Sequence, residues 1–206
     1  MKTTKLITAA AIAGCSLFAA QSALAYSAGD FFVRGGVAKT DTRSDNGDAL
    51  GQDLGISSAE RGFSYGLGYL FHDNIGVELS GTEQFEHDLS LGGDGIGTVD
   101  RMPINLMVNY YPLGGLDSRV QPYVGAGLNY TRFSSENVAA VPDLNVRRSY
   151  GAVGQVGIDL AVTDNVMLNG FANYADVEGD IESGGEQIGT AKVDPLTIGG
   201  GVTFRF

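Results

Sequence analysis

The chain has 206 residues, 43% hydrophobic and 18% charged, and its 13 basic against 24 acidic residues leave no basic face for a phosphate backbone, which argues against a nucleic-acid partner. Glycine, at 31 residues, is about twice its ordinary ~7% usage and is costly inside helices, so an all-helical domain is excluded. A mean hydropathy of +0.02 and the lack of an apolar run of about 18 residues argue against a spanning helix, but not against spanning strands, whose alternating faces cancel in the average.

Residues 1–25 read as an export signal. Lys2 and Lys5 give the positive start, 6–20 the apolar stretch, and Ala23-Leu24-Ala25 the small residues that signal peptidase needs, so the mature chain, 26–206, begins at Tyr26. Ile12-Ala13-Gly14-Cys15 offers the alternative of a lipidated N-terminus at Cys15, although the apolar run continues to Phe18. Cleavage after Ala25 removes the only cysteine, and with it disulfides, thiolate zinc sites and thiol nucleophiles. It also removes two lysines, leaving 11 basic and 24 acidic residues, a charge of -13.

Beyond Tyr26 the governing pattern has period two. Phe63, Tyr65, Leu67, Tyr69 and Phe71 alternate with Ser64, Gly66, Gly68 and Leu70; Met102, Ile104, Leu106, Val108 and Tyr110 alternate with Pro103, Asn105, Met107 and Asn109. The same alternation runs through 152–162 and again through 196–206, where Leu196, Ile198, Val202, Phe204 and Phe206 share one face. Eight segments follow, roughly 30–40, 62–71, 75–86, 99–111, 120–133, 147–162, 166–177 and 192–206. Short turns at 72–74, 112–119 and 163–165 alternate with long polar connections near 41–61, 87–98, 134–146 and 178–191.

An all-β fold follows: an eight-stranded antiparallel up-and-down barrel with short periplasmic turns and four long extracellular loops. A soluble eight-stranded barrel also alternates, but its charged face points to water. Here the more apolar face is almost free of charge along mid-strand, and the mixed face carries Arg, Glu, Asp and Asn, so the apolar face is the outer, lipid-facing one. Tyr26, Phe31, Phe63, Tyr65, Phe71, Tyr110, Tyr130, Tyr150, Tyr174, Phe204 and Phe206 fall near strand ends, as interfacial girdles require.

The chain resembles the OmpW family of small outer-membrane proteins. The likeness is carried by Ala28-Gly29-Asp30-Phe31-Phe32-Val33-Arg34, by Pro103 to Tyr111 followed by Gln121-Pro122-Tyr123-Val124-Gly125-Ala126-Gly127-Leu128-Asn129-Tyr130-Thr131, by Gly157-Ile158-Asp159 with Thr163-Asp164-Asn165, and by Asp194-Pro195-Leu196 leading to Phe204-Arg205-Phe206. The resemblance implies an eight-stranded barrel in a Gram-negative outer membrane whose partly apolar lumen passes small hydrophobic solutes, leaving sideways between strands. Some members of the family serve as phage or colicin receptors. The alternative is therefore a structural anchor or surface receptor whose barrel is closed by its own side chains. Resemblance to outer-membrane barrels in general implies that Phe204 and Phe206 form the signal read by the barrel assembly machinery. The absence of tryptophan leaves interface anchoring to Tyr and Phe.

The inward face can be read by depth. Arg34, Glu78, Asp159 and Arg205 point inward near the periplasmic end and are expected to pair, either as a plug against a water pore or as ordinary interior filling. Higher up, Pro103, Met107, Val153, Met167 and Phe171 with Asn105, Asn129, Thr131 and Asn173 form either a pocket for a small hydrophobic ligand or simple packing, and Val153→Trp is expected to block such a pocket. Eight of the eleven mature basic residues, Lys39, Arg43, Arg61, Arg101, Arg132, Arg147, Arg148 and Lys192, lie near the long-loop rim, where they meet lipopolysaccharide phosphates or are solvated strand ends. Enzyme chemistry is not expected, and no cofactor or metal is implied. Glu86 and His87, beside Glu83 and Asp88, fall on opposite strand faces, and His72 sits in a periplasmic turn away from any triad.

Overall fold

The computed structural model describes residues 26–42, 47–49, 52–56, 60–91, 94–138, 144–146, 148–183, 186–192 and 194–206. The export signal and its cleavage site lie outside them. In chain order the strands are β1 (Phe31–Asp41), β2 (Gly47–Ala49), β3 (Gln52–Ile56), β4 (Glu60–His72), β5 (Ile75–Thr82), β6 (Phe85–Leu91), β7 (Asp94–Tyr110), β8 (Val120–Val138), β9 (Leu144–Val146), β10 (Ser149–Ala161), β11 (Val166–Ala175), β12 (Glu178–Ser183), β13 (Glu186–Lys192) and β14 (Leu196–Arg205). Eight of them close a ring, β1-β4-β5-β7-β8-β10-β11-β14, each antiparallel to its neighbours. The last strand pairs with the first over ten residues, Phe32 opposite Arg205 through Asp41 opposite Leu196, so no sheet edge is left in the membrane.

Exposure follows the period-two reading. Phe63, Leu67, Phe71, Leu106, Val108, Leu128, Val156, Ile158 and Leu168 stand outward and exposed, while Ser64, Leu70, Asn105, Met107, Asn129, Gln155 and Asp159 are buried inside. The periplasmic turns are tied by their own side chains. Asn74 donates to the carbonyls of Tyr111 (2.8 Å) and Gly114 (3.0 Å), and Asn165 donates to the carbonyl of Arg205 (2.9 Å).

The long connections differ from expectation. They carry strands of their own: β2 and β3 between β1 and β4, β6 after β5, β9 before β10, and the β12–β13 hairpin. Alternation could not announce them, because backbone pairing outside lipid needs no apolar face. β7 and β8 run on past the ring and stay paired as far as Gly97 opposite Val138.

Candidate functional site

The lumen is layered. At the periplasmic end an apolar cluster of Tyr26, Phe32, Leu70, Tyr111, Tyr123, Ala161 and Met167 fills the barrel, each side chain almost fully buried. Tyr26, read above as part of an interfacial girdle, is inside: its ring packs 4.7 Å from that of Tyr111 and its hydroxyl donates to Asp159 at 2.9 Å. The segment before β1 folds under the barrel to place it there, held by Gly29 N–H to the Leu70 carbonyl and Gly115 N–H to the Tyr26 carbonyl. Gly29 and Gly115 both adopt positive φ, which only glycine takes without strain.

Directly above lies an ion cluster built on Arg34 of β1. Its Nη1 donates to both oxygens of Glu78 on β5 (2.9 and 2.8 Å), and its Nη2 donates to Asp159 on β10 at 2.6 Å. The guanidinium lies between the rings of Phe32 and Tyr123, 4.5 and 4.7 Å from their centroids. Asp159 further accepts from Asn169 and Thr203, and Glu78 from Asn109 and Gln155, so both carboxylates are fully engaged while buried. Arg205 stands apart from this cluster. It reaches Asp30 at 3.5 Å and the Asp164 carbonyl at the barrel's lower rim, because its register opposite Phe32 puts it one layer lower than Arg34. Burial holds the Asp30 carboxyl above its ordinary pKa, against the opposing pull of the Ser27 N–H and Arg205.

Above the ion cluster the lumen opens into a cavity with about 40 Å³ of room for the centres of water-sized spheres. Pro103, Asn105, Asn129, Phe171 and Asn173 line it, and the Arg34 cluster forms its floor. Met107 and Val153 do not line it; they pack with Ala175 and Val177 in a second buried cluster. Met167 lies lower still, in the periplasmic core. The wall on the β1–β14 side is glycine: a Cβ on Gly36 would sit 2.3 Å from the Gly200 carbonyl oxygen, and one on Gly201 2.1 Å from that of Gly35.

The basic rim divides. Arg61, Arg132 and Arg148 are exposed, each two residues along the chain from an aromatic, namely Phe63, Tyr130 and Tyr150. Arg101, expected on the same rim, is 2% exposed and turned into the cavity, because it shares the inward parity of Pro103, Asn105 and Met107. Arg147 and Arg43 lie outside the described residues, Lys192 pairs along the backbone with Glu178, and Lys39 is bonded to Asp41 at 2.8 Å. Phe206 is exposed at the end of the chain, 6.3 Å from the Phe31 ring, and Phe204 is half-buried. Glu83 accepts from the Phe63 N–H at 2.9 Å, which ties the top of β5 to β4.

A closed barrel with an apolar skin and its charges inside is a transmembrane β-barrel of the outer-membrane type. Residues 27–206 match the OmpW family, and the chain belongs to it. It is 35% identical over 214 residues to outer membrane protein W of Escherichia coli K12, covering 98% of this chain and all of that protein. Among solved structures it resembles OprG of Pseudomonas aeruginosa, with a TM-score of 0.81, 26% identity, and 89% and 99% of the two chains covered. It also resembles E. coli outer membrane protein W itself, with a TM-score of 0.62, 31% identity, and 87% and 99% covered.

Sequence reasoning missed Tyr26, Tyr111, Tyr123, Asn109, Gln155 and Asn169, which complete the ion cluster. Parity alone could have found two of the tyrosines, since Tyr111 follows outward Tyr110 and Tyr123 precedes outward Val124.

Proposed function

We propose that this outer-membrane barrel admits small hydrophobic molecules passively, without enzymatic chemistry, through the cavity in the outer half of its lumen. The observation that carries this reading is the position of that cavity. It lies above a floor closed by the Arg34–Glu78–Asp159 cluster and the aromatic core beneath, so a solute entering from outside meets a mixed apolar and amide wall but no water-filled route to the periplasm. Exit is then sideways into the membrane. The exposed Arg61, Arg132 and Arg148 beyond their aromatics support contact with lipopolysaccharide phosphates around the rim.

Accumulation of several small apolar compounds by cells with and without the protein tests the reading. Asn173→Trp, which fills the cavity, is expected to reduce the protein-dependent uptake several-fold, whereas Ala172→Trp on the outward face leaves it intact. Asn173 is a better place to block than Val153, which the structure puts in a packed cluster. Equal uptake with and without the protein would leave the barrel as an anchor for its loops.

A further inference from the structure

Of the two arginines that line the cavity among the described residues, Arg34 is bonded to Glu78 and Asp159, whereas Arg101 keeps unpaired donors. It is 2% exposed, and its Nε and Nη1 find no hydrogen-bond acceptor among the described residues. Thr82 at the outer end of β5 lines the same cavity, and its buried hydroxyl likewise has no partner among the described residues. Buried donors without acceptors are costly, and each calls for an acceptor from a ligand, a water or an ion.

The charges below sharpen the point. Arg34 contributes one positive charge against the two negative charges of Glu78 and Asp159, so the floor carries a net charge of -1, and Arg101 places +1 at the opposite, outer end. Such a field draws a single anionic group to the outer end and repels it from the floor. Between the two ends the wall is uncharged, Phe171, Pro103, Ala175 and the glycines standing among the amides of Asn105, Asn129 and Asn173, so only part of it suits a short hydrocarbon chain attached to that anion.

We propose that Arg101, assisted by Thr82, forms an anion site at the outer end of the lumen, which binds the carboxylate of a small amphipathic monocarboxylic acid with its hydrocarbon tail directed inward. A planar guanidinium offers a carboxylate two parallel N–H bonds, and one unpaired cation suits one negative charge. The inference rests on the cavity being the solute site proposed above and adds the class of solute.

The test uses the full mature barrel in lipid nanodiscs with isotope-labelled arginine side chains, titrated with hexanoate and, separately, with 1-hexanol. Hexanoate is expected to move the Arg101 Nε–H resonance, which 1-hexanol leaves in place while shifting backbone amides around the cavity. In Arg101→Gln the affinity ratio of hexanoate to 1-hexanol is expected to fall roughly tenfold or more, the scale of a lost charge-assisted hydrogen bond. Arg101→Lys, which keeps the charge, should retain most of that ratio. If 1-hexanol binds and hexanoate shows no dependence on Arg101, this inference is overturned and the passage of apolar solutes stands. If hexanoate binds through Arg101 and 1-hexanol does not bind, the anion site stands and the apolar reading falls; if neither binds, both fall. Should Arg101→Gln fail to give the heat-resistant folded band of a closed barrel, the wild-type titration against the two ligands still decides.

Discussion

Arg34 serves two carboxylates, and the imbalance decides what each substitution does. Arg34→Leu leaves Glu78 and Asp159 facing one another, buried and without a cation, and is expected to cost about 3–5 kcal/mol, the usual result of removing one partner from a buried pair. Glu78→Gln should be far milder, about 1 kcal/mol, because the amide oxygen still accepts from Arg34 and the remaining Arg34–Asp159 pair is balanced in charge. Tyr26→Phe should fall between them, since the hydroxyl donates to the fully buried carboxyl group of Asp159. Urea unfolding in lipid vesicles, followed by circular dichroism, gives the order. Glu78→Gln costing as much as Arg34→Leu would show that the floor is not short of positive charge. These charged partners were legible in the sequence because strand parity fixes their side of the wall and burial forbids leaving them alone. The tyrosines around them were less so: an aromatic at a strand end suits a lipid interface and a barrel floor equally, and only its register tells which.

At the scale of the strand, the glycines resolve into a cross-strand rule. Inward glycines lie directly opposite bulky inward side chains: Gly68 faces Phe32, Gly157 faces Tyr123, Gly199 faces Phe171 and Gly125 faces Asn109. A Cβ on Gly68 would lie 2.0 Å from the Phe32 ring, and one on Gly157 2.3 Å from the Tyr123 ring, so the rings lie across the neighbouring strand only because it has no side chain there. Gly157→Ala is therefore expected to displace Tyr123 from Arg34 and Asn169 and to destabilise the barrel by about 1–3 kcal/mol. Gly154→Ala, three residues along the same strand on the outward face, meets only the Gly125 carbonyl oxygen at 4.0 Å and should be neutral or stabilising by up to about 1 kcal/mol. A comparison of unfolding midpoints checks both, and equal costs would remove the role assigned to cross-strand space. The sequence shows the excess of glycine, but not which glycine sits under which ring, since that depends on register. It is silent in the same way about β2, β3, β9, β12 and β13, whose pairing outside lipid leaves no apolar alternation to read.

At the scale of the whole molecule, the near-zero mean hydropathy is the sum of two opposed surfaces, an apolar skin and a polar lumen. The skin is shorter than the strands that carry it. The 19 residues of β8 extend about 65 Å at ~3.4 Å each, against an apolar band of about 25 Å in barrels of this class, so even with a tilt near 40° the outer part of β7 and β8 stands clear of the membrane. Leu106 and Leu128 pair near the middle of the skin, Tyr110 marks its periplasmic edge, and Tyr130 and Tyr150, with rings 5.1 Å apart, mark its outer edge just below Arg132 and Arg148. The chain contains no tryptophan, so each introduced tryptophan reports one position alone. In vesicles whose acyl chains carry bromine, Leu106→Trp is expected to be quenched strongly and Tyr150→Trp weakly, because their side chains face the lipid at the centre and the edge of the band. Asn173→Trp should be quenched least, since its ring enters the lumen. Strong quenching of Tyr150→Trp would move the outer boundary past Arg148 and immerse the rim; strong quenching of Asn173→Trp would mean that lipid chains enter the cavity between the strands.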